Sequence, residues 1–140
     1  MLDKDNDLIE KSLKSPEDKK IYWEKNNCTI RAFAIAQGLT FSEAKEALKG
    51  IKEERKGICF FQWTAFLNEH NYKRSNVRFL TFALLQKMGI LDKNKTYILN
   101  KKGHTFAIKN GKASEKVHGK TLIRSFYEKT YPIVIYKERA

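Results

Sequence analysis

The apolar positions of this chain fall into two textures, helical spacing up to Gly89 and strand-like alternation after it. "SPED" at 15–18 predicts a helix start, with Ser15 as N-cap, Pro16 at the first position and two acids in the first turn. That helix carries Tyr22 and Trp23 and dissolves at Asn26 and Asn27. A second helix begins at or near Cys28. Its Ile30, Ala32, Phe33, Ala34, Ile35 and Ala36 cover nearly every direction, so it is read as buried, and Gly38 ends it. "TFSE" at 40–43 is a capping box opening a helix to about Lys52, with Ala44, Ala47, Leu48 and Ile51 inward. Trp63, Phe66, Leu67 and His70 then stand at helical spacing, and "FLTFALLQKMG" reads as one more short helix.

Beyond Gly89, "TYILN", "HTFAIKN", "KASEKV" and, from Tyr131, "YPIVIYK" read as strands, with "KTLIRSFYEK" as a helix between the last two. Helices first and an antiparallel sheet second make an α+β fold. Residues 1–14 are strongly charged, with Leu8, Ile9 and Leu13 as the apolar group, and read as a short helix or a loose arm before a single domain over 15–140.

Asn110-Gly111 is a strong signal for a type I′ hairpin turn. It sets Lys109 opposite Lys112, Ala107 opposite Ser114, Phe106 opposite Glu115 and His104 opposite Val117. Side chains alternate, so Thr105, Ala107, Lys109, Lys112, Ser114 and Lys116 form an expected solvent face. The other face is apolar except for His104 and Glu115, diagonal neighbours at roughly 7 Å between backbones. A buried imidazole beside a carboxylate is costly unless the two hydrogen-bond. A carboxylate on one ring nitrogen leaves the other to work on a thiol. The alternative is that His104 sits at the rim and Glu115 bends to solvent.

Cys28 stands at a helix N-terminus, where unpaired N–H groups lower a thiol's pKa, yet free cysteine is also a common core residue. Both readings stand on the residues alone. Cys59, between Ile58 and Phe60, is expected in the core.

Composition narrows the class. The 140 residues, 41% of them hydrophobic, suit one globular domain. No run approaches the roughly 18 apolar residues of a membrane span, and the opening does not read as a signal peptide, so a cytoplasmic protein without a membrane partner is expected. Two Cys and three His without CxxC or HxxxH spacing give no support for a metal, and no cofactor is expected. The net charge of +12 attracts polyanions and acidic surfaces, making nucleic acid a candidate partner, although lysines interleaved with acids also serve solubility.

A buried helix opening on cysteine, followed by an antiparallel sheet carrying His and an acid, resembles the layout of the papain-like cysteine peptidases. Within that superfamily the likeness is sharper to small bacterial and phage proteins with Asn/Asp-Cys-x-x-Arg-Ala-x-Ala-x-Ala-x-Gly and Gly-His-x-x-Ala-x-x-x-Gly, here "NCTIRAFAIAQG" and "GHTFAIKNG". "FLNEHNY" and "TYILNKKGH" also fit, and the likeness spans residues 26 to about 117. It implies Cys28 as nucleophile, His104 as general base and Glu115, where the family usually carries Asp, as the third member.

Many papain-like enzymes place an oxyanion-binding Gln six residues before the cysteine. That position is Tyr22, so Asn26 or Asn27 is expected to donate instead, together with the Cys28 backbone N–H. Arg31, matching the motif's Arg, is either a structural ion pair or an anchor for an acidic substrate group. Two functions follow. One is a cysteine hydrolase or acyl transferase acting on a protein or peptide substrate. The other is a degenerate scaffold, a phage product in its host's cytoplasm, that grips a host protein or nucleic acid through its basic surface.

Overall fold

The structure, a computed structural model, describes residues 7–53 and 56–131. Helices α1 (Asp7–Ser12), α2 (Pro16–Trp23), α3 (Cys28–Gln37), α4 (Phe41–Ala47) and α5 (Phe60–Glu69) come first. Strands β1 (Tyr72–Arg74) and β2 (Leu80–Thr81), helix α6 (Phe82–Lys87) and strands β3 (Thr96–Lys101), β4 (His104–Lys109), β5 (Lys112–Ala113), β6 (Leu122–Ile123) and β7 (Ser125–Lys129) follow. The main sheet has the order β1-β7-β3-β4-β5 with every pairing antiparallel, and β2 and β6 form a small second pair. Helices packed on a small antiparallel sheet make this an α+β protein, the coarse fold the sequence predicts. Among the described residues no helix is long and apolar enough to cross a membrane.

Local chemistry accounts for the helical half. Ser15 caps α2 by accepting from the Asp18 N–H, and Thr40 and Glu43 close a reciprocal capping box on α4. Gly38 ends α3 at φ 71°, a left-handed conformation that glycine adopts without steric cost. Asp18, 1% exposed, ties two helices together. Its carboxylate accepts from the Lys14 N–H at 2.9 Å, the Ser42 N–H at 2.8 Å and the Ser42 hydroxyl at 2.6 Å. Asp18→Ala strands these donors and is expected to cost about 2 kcal/mol of unfolding free energy, read as a lower denaturant midpoint at unchanged slope.

The sheet is buried on both faces. Ile98, Ala107 and Tyr127 join the cluster under α3, whereas Leu99, Phe106 and Phe126 join a second one with Phe82, Leu85 and Ile123. This corrects the expected solvent face of the hairpin: Ala107 is 0% exposed, and Thr105 and Ser114 are buried with it, because α3 packs across β4. The segment 120–129, expected as a helix, is instead β6 and β7. β7 lies between β1 and β3, and a strand covered on both faces loses the alternation that distinguishes it from a buried helix.

Three smaller differences follow from local geometry. The capping-box helix stops at Ala47, which is exposed, and the chain continues in turns with Leu48 buried. Cys59 is exposed, because it occupies the N-cap position of α5 beside Phe60 and Phe61, themselves 41% and 80% exposed. β2 takes the start of "FLTFALLQKMG", so α6 begins only at Phe82, capped by Thr81. The strand expected from Tyr131 lies, beyond Tyr131 itself, outside the described residues.

Candidate active site

The hairpin register is the expected one where the ladder exists: Lys109 faces Lys112 and Ile108 faces Ala113. The next step keeps one backbone bond, from the Ser114 N–H to the Ala107 carbonyl at 2.8 Å, but the Ser114 hydroxyl accepts the Ala107 N–H at 3.0 Å. A side chain thus replaces the backbone carbonyl and ends the strand at Ala113, shorter than expected. Leaving the ladder carries Glu115 to His104. Its Oε1 lies 2.5 Å from His104 Nε2. Both side chains are partly open to solvent, 26% exposed for His104 and 35% for Glu115.

With Nε2 turned to the carboxylate, Nδ1 is the nitrogen left for a thiol. Cys28, the first residue of α3 and half-buried, lies within interaction range of the His104 ring and of the Thr105 backbone N–H. Burial pushes the Cys28 thiol up, but the bonds to His104 and Thr105 and the positive charges of His104 and Arg31 outweigh it, and its pKa falls below the ordinary value. His104 moves the other way. Its bond to Cys28, then that to Glu115, raise its pKa to about 9 against the opposing effect of burial. Opposite shifts on two bonded groups favour a thiolate facing an imidazolium.

Asn26, Asn27 and Arg31 do not join this group. Asn27 is buried, and its side-chain nitrogen donates to the Ile21 carbonyl at 3.1 Å, holding the turn that delivers Cys28. It places no side-chain cap on α3. Asn26 is exposed at φ 64°, and neither asparagine lines the cleft beside Cys28. The Asn27 side chain is thus committed away from the oxyanion role expected of it. Arg31 donates to the carbonyls of Tyr22 at 2.9 Å and Glu24 at 3.4 Å, with its guanidinium 5.9 Å from the Tyr22 ring centroid. It satisfies the open carbonyl end of α2. This is a structural role, met by carbonyls rather than by the acid expected.

The cleft encloses about 320 Å³. Cys28, His104 and Thr105 line one part of it, Ile58, Phe60 and Trp63 another, and Lys101 and Arg124 a third. Sequence reasoning missed the last two because a lysine and an arginine among 28 basic residues carry no local signal. Among the described residues no group of three His, Cys, Asp or Glu side chains could hold a metal ion. Fold and site together define an α+β domain with a thiol and an imidazole lining one cleft and a carboxylate bonded to the imidazole. No known protein family, curated protein or solved structure matches this chain.

Proposed function

We propose that the protein is a cysteine-dependent hydrolase or acyl transferase of papain-like layout, acting on an amide or thioester bond of a protein or peptide. The observation that carries this reading is that His104, hydrogen-bonded to Glu115, interacts with Cys28 beside an open cleft that Cys28 and His104 both line. The Cys28 thiolate attacks the substrate carbonyl carbon, and the carbonyl oxygen becomes an oxyanion. Donors available to it are backbone N–H groups of the first turn of α3, which has no side-chain cap. His104 gives its proton to the leaving amine or thiol as the carbon–heteroatom bond breaks, producing an acyl-cysteine. It then takes a proton from water, or from an acceptor amine, whose attack releases the acyl group and restores the thiolate. Glu115 holds the ring and stabilises its charged form.

The Gln position of papain-like enzymes is filled by Tyr22, which packs against Trp23 and Phe41. That absence, with the +12 charge, favours a second reading as a binding scaffold without turnover. p-Nitrophenyl acetate separates the two. A hydrolase forms an acetyl adduct on Cys28, seen by intact mass, that appears with a burst of nitrophenol and is absent in Cys28→Ala. Acetylation confined to lysines, equal in both proteins, would overturn the catalytic reading. A basic scaffold would instead bind its partner equally well in Cys28→Ala, and weaken steeply with salt if that partner is nucleic acid.

A further inference from the structure

We infer that the cleft beside Cys28 selects peptide segments carrying a carboxylate close to the scissile carbonyl, held by Lys101 and Arg124, an inference that rests on the hydrolase reading of the same site. Lys101 ends β3 directly opposite His104. Arg124 joins β6 to β7, and its backbone N–H donates to the Asn100 carbonyl at 2.9 Å. Because β7, β3 and β4 are neighbours in that order, Arg124 just before β7, Lys101 at the end of β3 and His104 at the start of β4 lie side by side at one end of the sheet. Strand spacing puts the two cations about 5 and 10 Å of backbone from His104, one to three residues along an extended peptide.

Among the described residues neither cation has an ion-pair partner and no Asp or Glu lines the cleft. The floor is otherwise committed. Asn100 donates to the Ser125 hydroxyl at 3.1 Å and accepts from the Thr105 hydroxyl at 2.8 Å, a chain that locks β7, β3 and β4 together. Lys101 and Arg124 remain as the charged groups able to take a ligand. Arg74, with its guanidinium 4.9 Å from the Phe60 ring centroid, adds positive charge at the apolar wall.

Thr29 and Trp63 also line this cleft. Their Oγ1 and Nε1 atoms are sealed from solvent without a partner in the protein, so Trp63 serves as a reporter of the lining. A cleft with an apolar wall and two unpaired cations fits a peptide bearing a carboxylate. At about 320 Å³ it takes a short segment rather than a nucleic-acid duplex.

The test uses Cys28→Ser, so that binding is read without turnover, and follows the Trp63 indole N–H by nuclear magnetic resonance. Three N-acetylated peptides differ only in charge: one with an internal Glu and an amidated C-terminus, one with Gln in its place and an amidated C-terminus, and one with Gln and a free C-terminal carboxylate. The Glu peptide, the free-terminus peptide or both are expected to bind at least roughly tenfold more tightly than the neutral one, as charge-assisted bonds do. Which of them does so identifies the source of the carboxylate. In Lys101→Gln/Arg124→Gln the difference is expected to vanish while the fold, checked by thermal unfolding, persists. Equal affinity for all three peptides, a preference that survives the double substitution, or binding of an oligonucleotide alone would overturn the inference. Carboxylate-dependent binding without any acyl adduct on the wild-type Cys28 would keep the carboxylate site at Lys101 and Arg124 and remove the hydrolase reading, and with it the scissile carbonyl. Adduct formation with no charge preference would do the reverse.

Discussion

His104→Ala is expected to slow alkylation of Cys28 by iodoacetamide at about pH 6 by roughly 30-fold or more, with exposed Cys59 unchanged as an internal reference. The thiolate is the reacting species, and at that pH an ordinary thiol is only about 0.3% ionised. In the native site, burial raises the Cys28 pKa and the His104 bond is the first effect opposing it. Remove the imidazole and burial is answered only by the Thr105 N–H and the Arg31 charge. Part of the lost ionisation is returned as greater nucleophilicity of the less acidic thiol, which is why the expected loss is smaller than the fall in thiolate fraction. Mass-spectrometric peptide mapping reads both cysteines in one sample. A change common to both would mean general loosening of the fold rather than loss of a specific pair.

Glu115→Ala is expected to move the alkaline limit of activity down by at least one pH unit, about tenfold in rate on that limb. The His104 pKa is raised to about 9 by its bonds to Cys28 and then to Glu115. A raised histidine contributes stability that is fully present below its unfolded value near 6.5 and is lost as pH rises through about 9. Cys28 opposes this: its lowered pKa contributes stability that grows as pH rises toward the ordinary thiol value, so the two effects offset where their ranges overlap and the His104 proton itself is the readout. In Glu115→Ala the loss of the proton on His104, followed by nuclear magnetic resonance, should shift toward the lower end of the interval between about 6.5 and about 9. Glu115→Gln keeps an oxygen that can accept from Nε2 and should preserve ring orientation while losing the charge, so its alkaline limit should fall between the two. Identical titrations of His104 in all three proteins would remove Glu115 from the site.

The candidate site was more legible in the sequence than the sheet that carries it. Turn chemistry is local: Asn110-Gly111 fixed which residues of the hairpin oppose each other, and that sufficed to put His104 near Glu115. Cap chemistry was equally legible at Ser15 and Thr40. What a strand packs against is not local. Thr105 and Ser114 look like solvent residues, but α3 lies over them. The same burial on both faces made "RSFYEK" read as a helix, with Phe126 and Tyr127 entering opposite cores. Cys59 shows the converse, an apolar stretch that capping geometry leaves at the surface. The side-chain roles of Asn27 and Arg31 depend on carbonyls of α2, which no spacing rule announces.

The measurement that tests the central claim most directly is the pH profile of iodoacetamide alkylation at Cys28 in the wild-type protein, across the range from about pH 4 to about pH 10 that spans ordinary imidazole and thiol ionisation. A thiolate–imidazolium pair predicts reactivity that begins well below the ordinary thiol range, holds a plateau, and changes again near pH 9 as His104 loses its proton. A single rise at or above the range of a free thiol, with no second step, would contradict it.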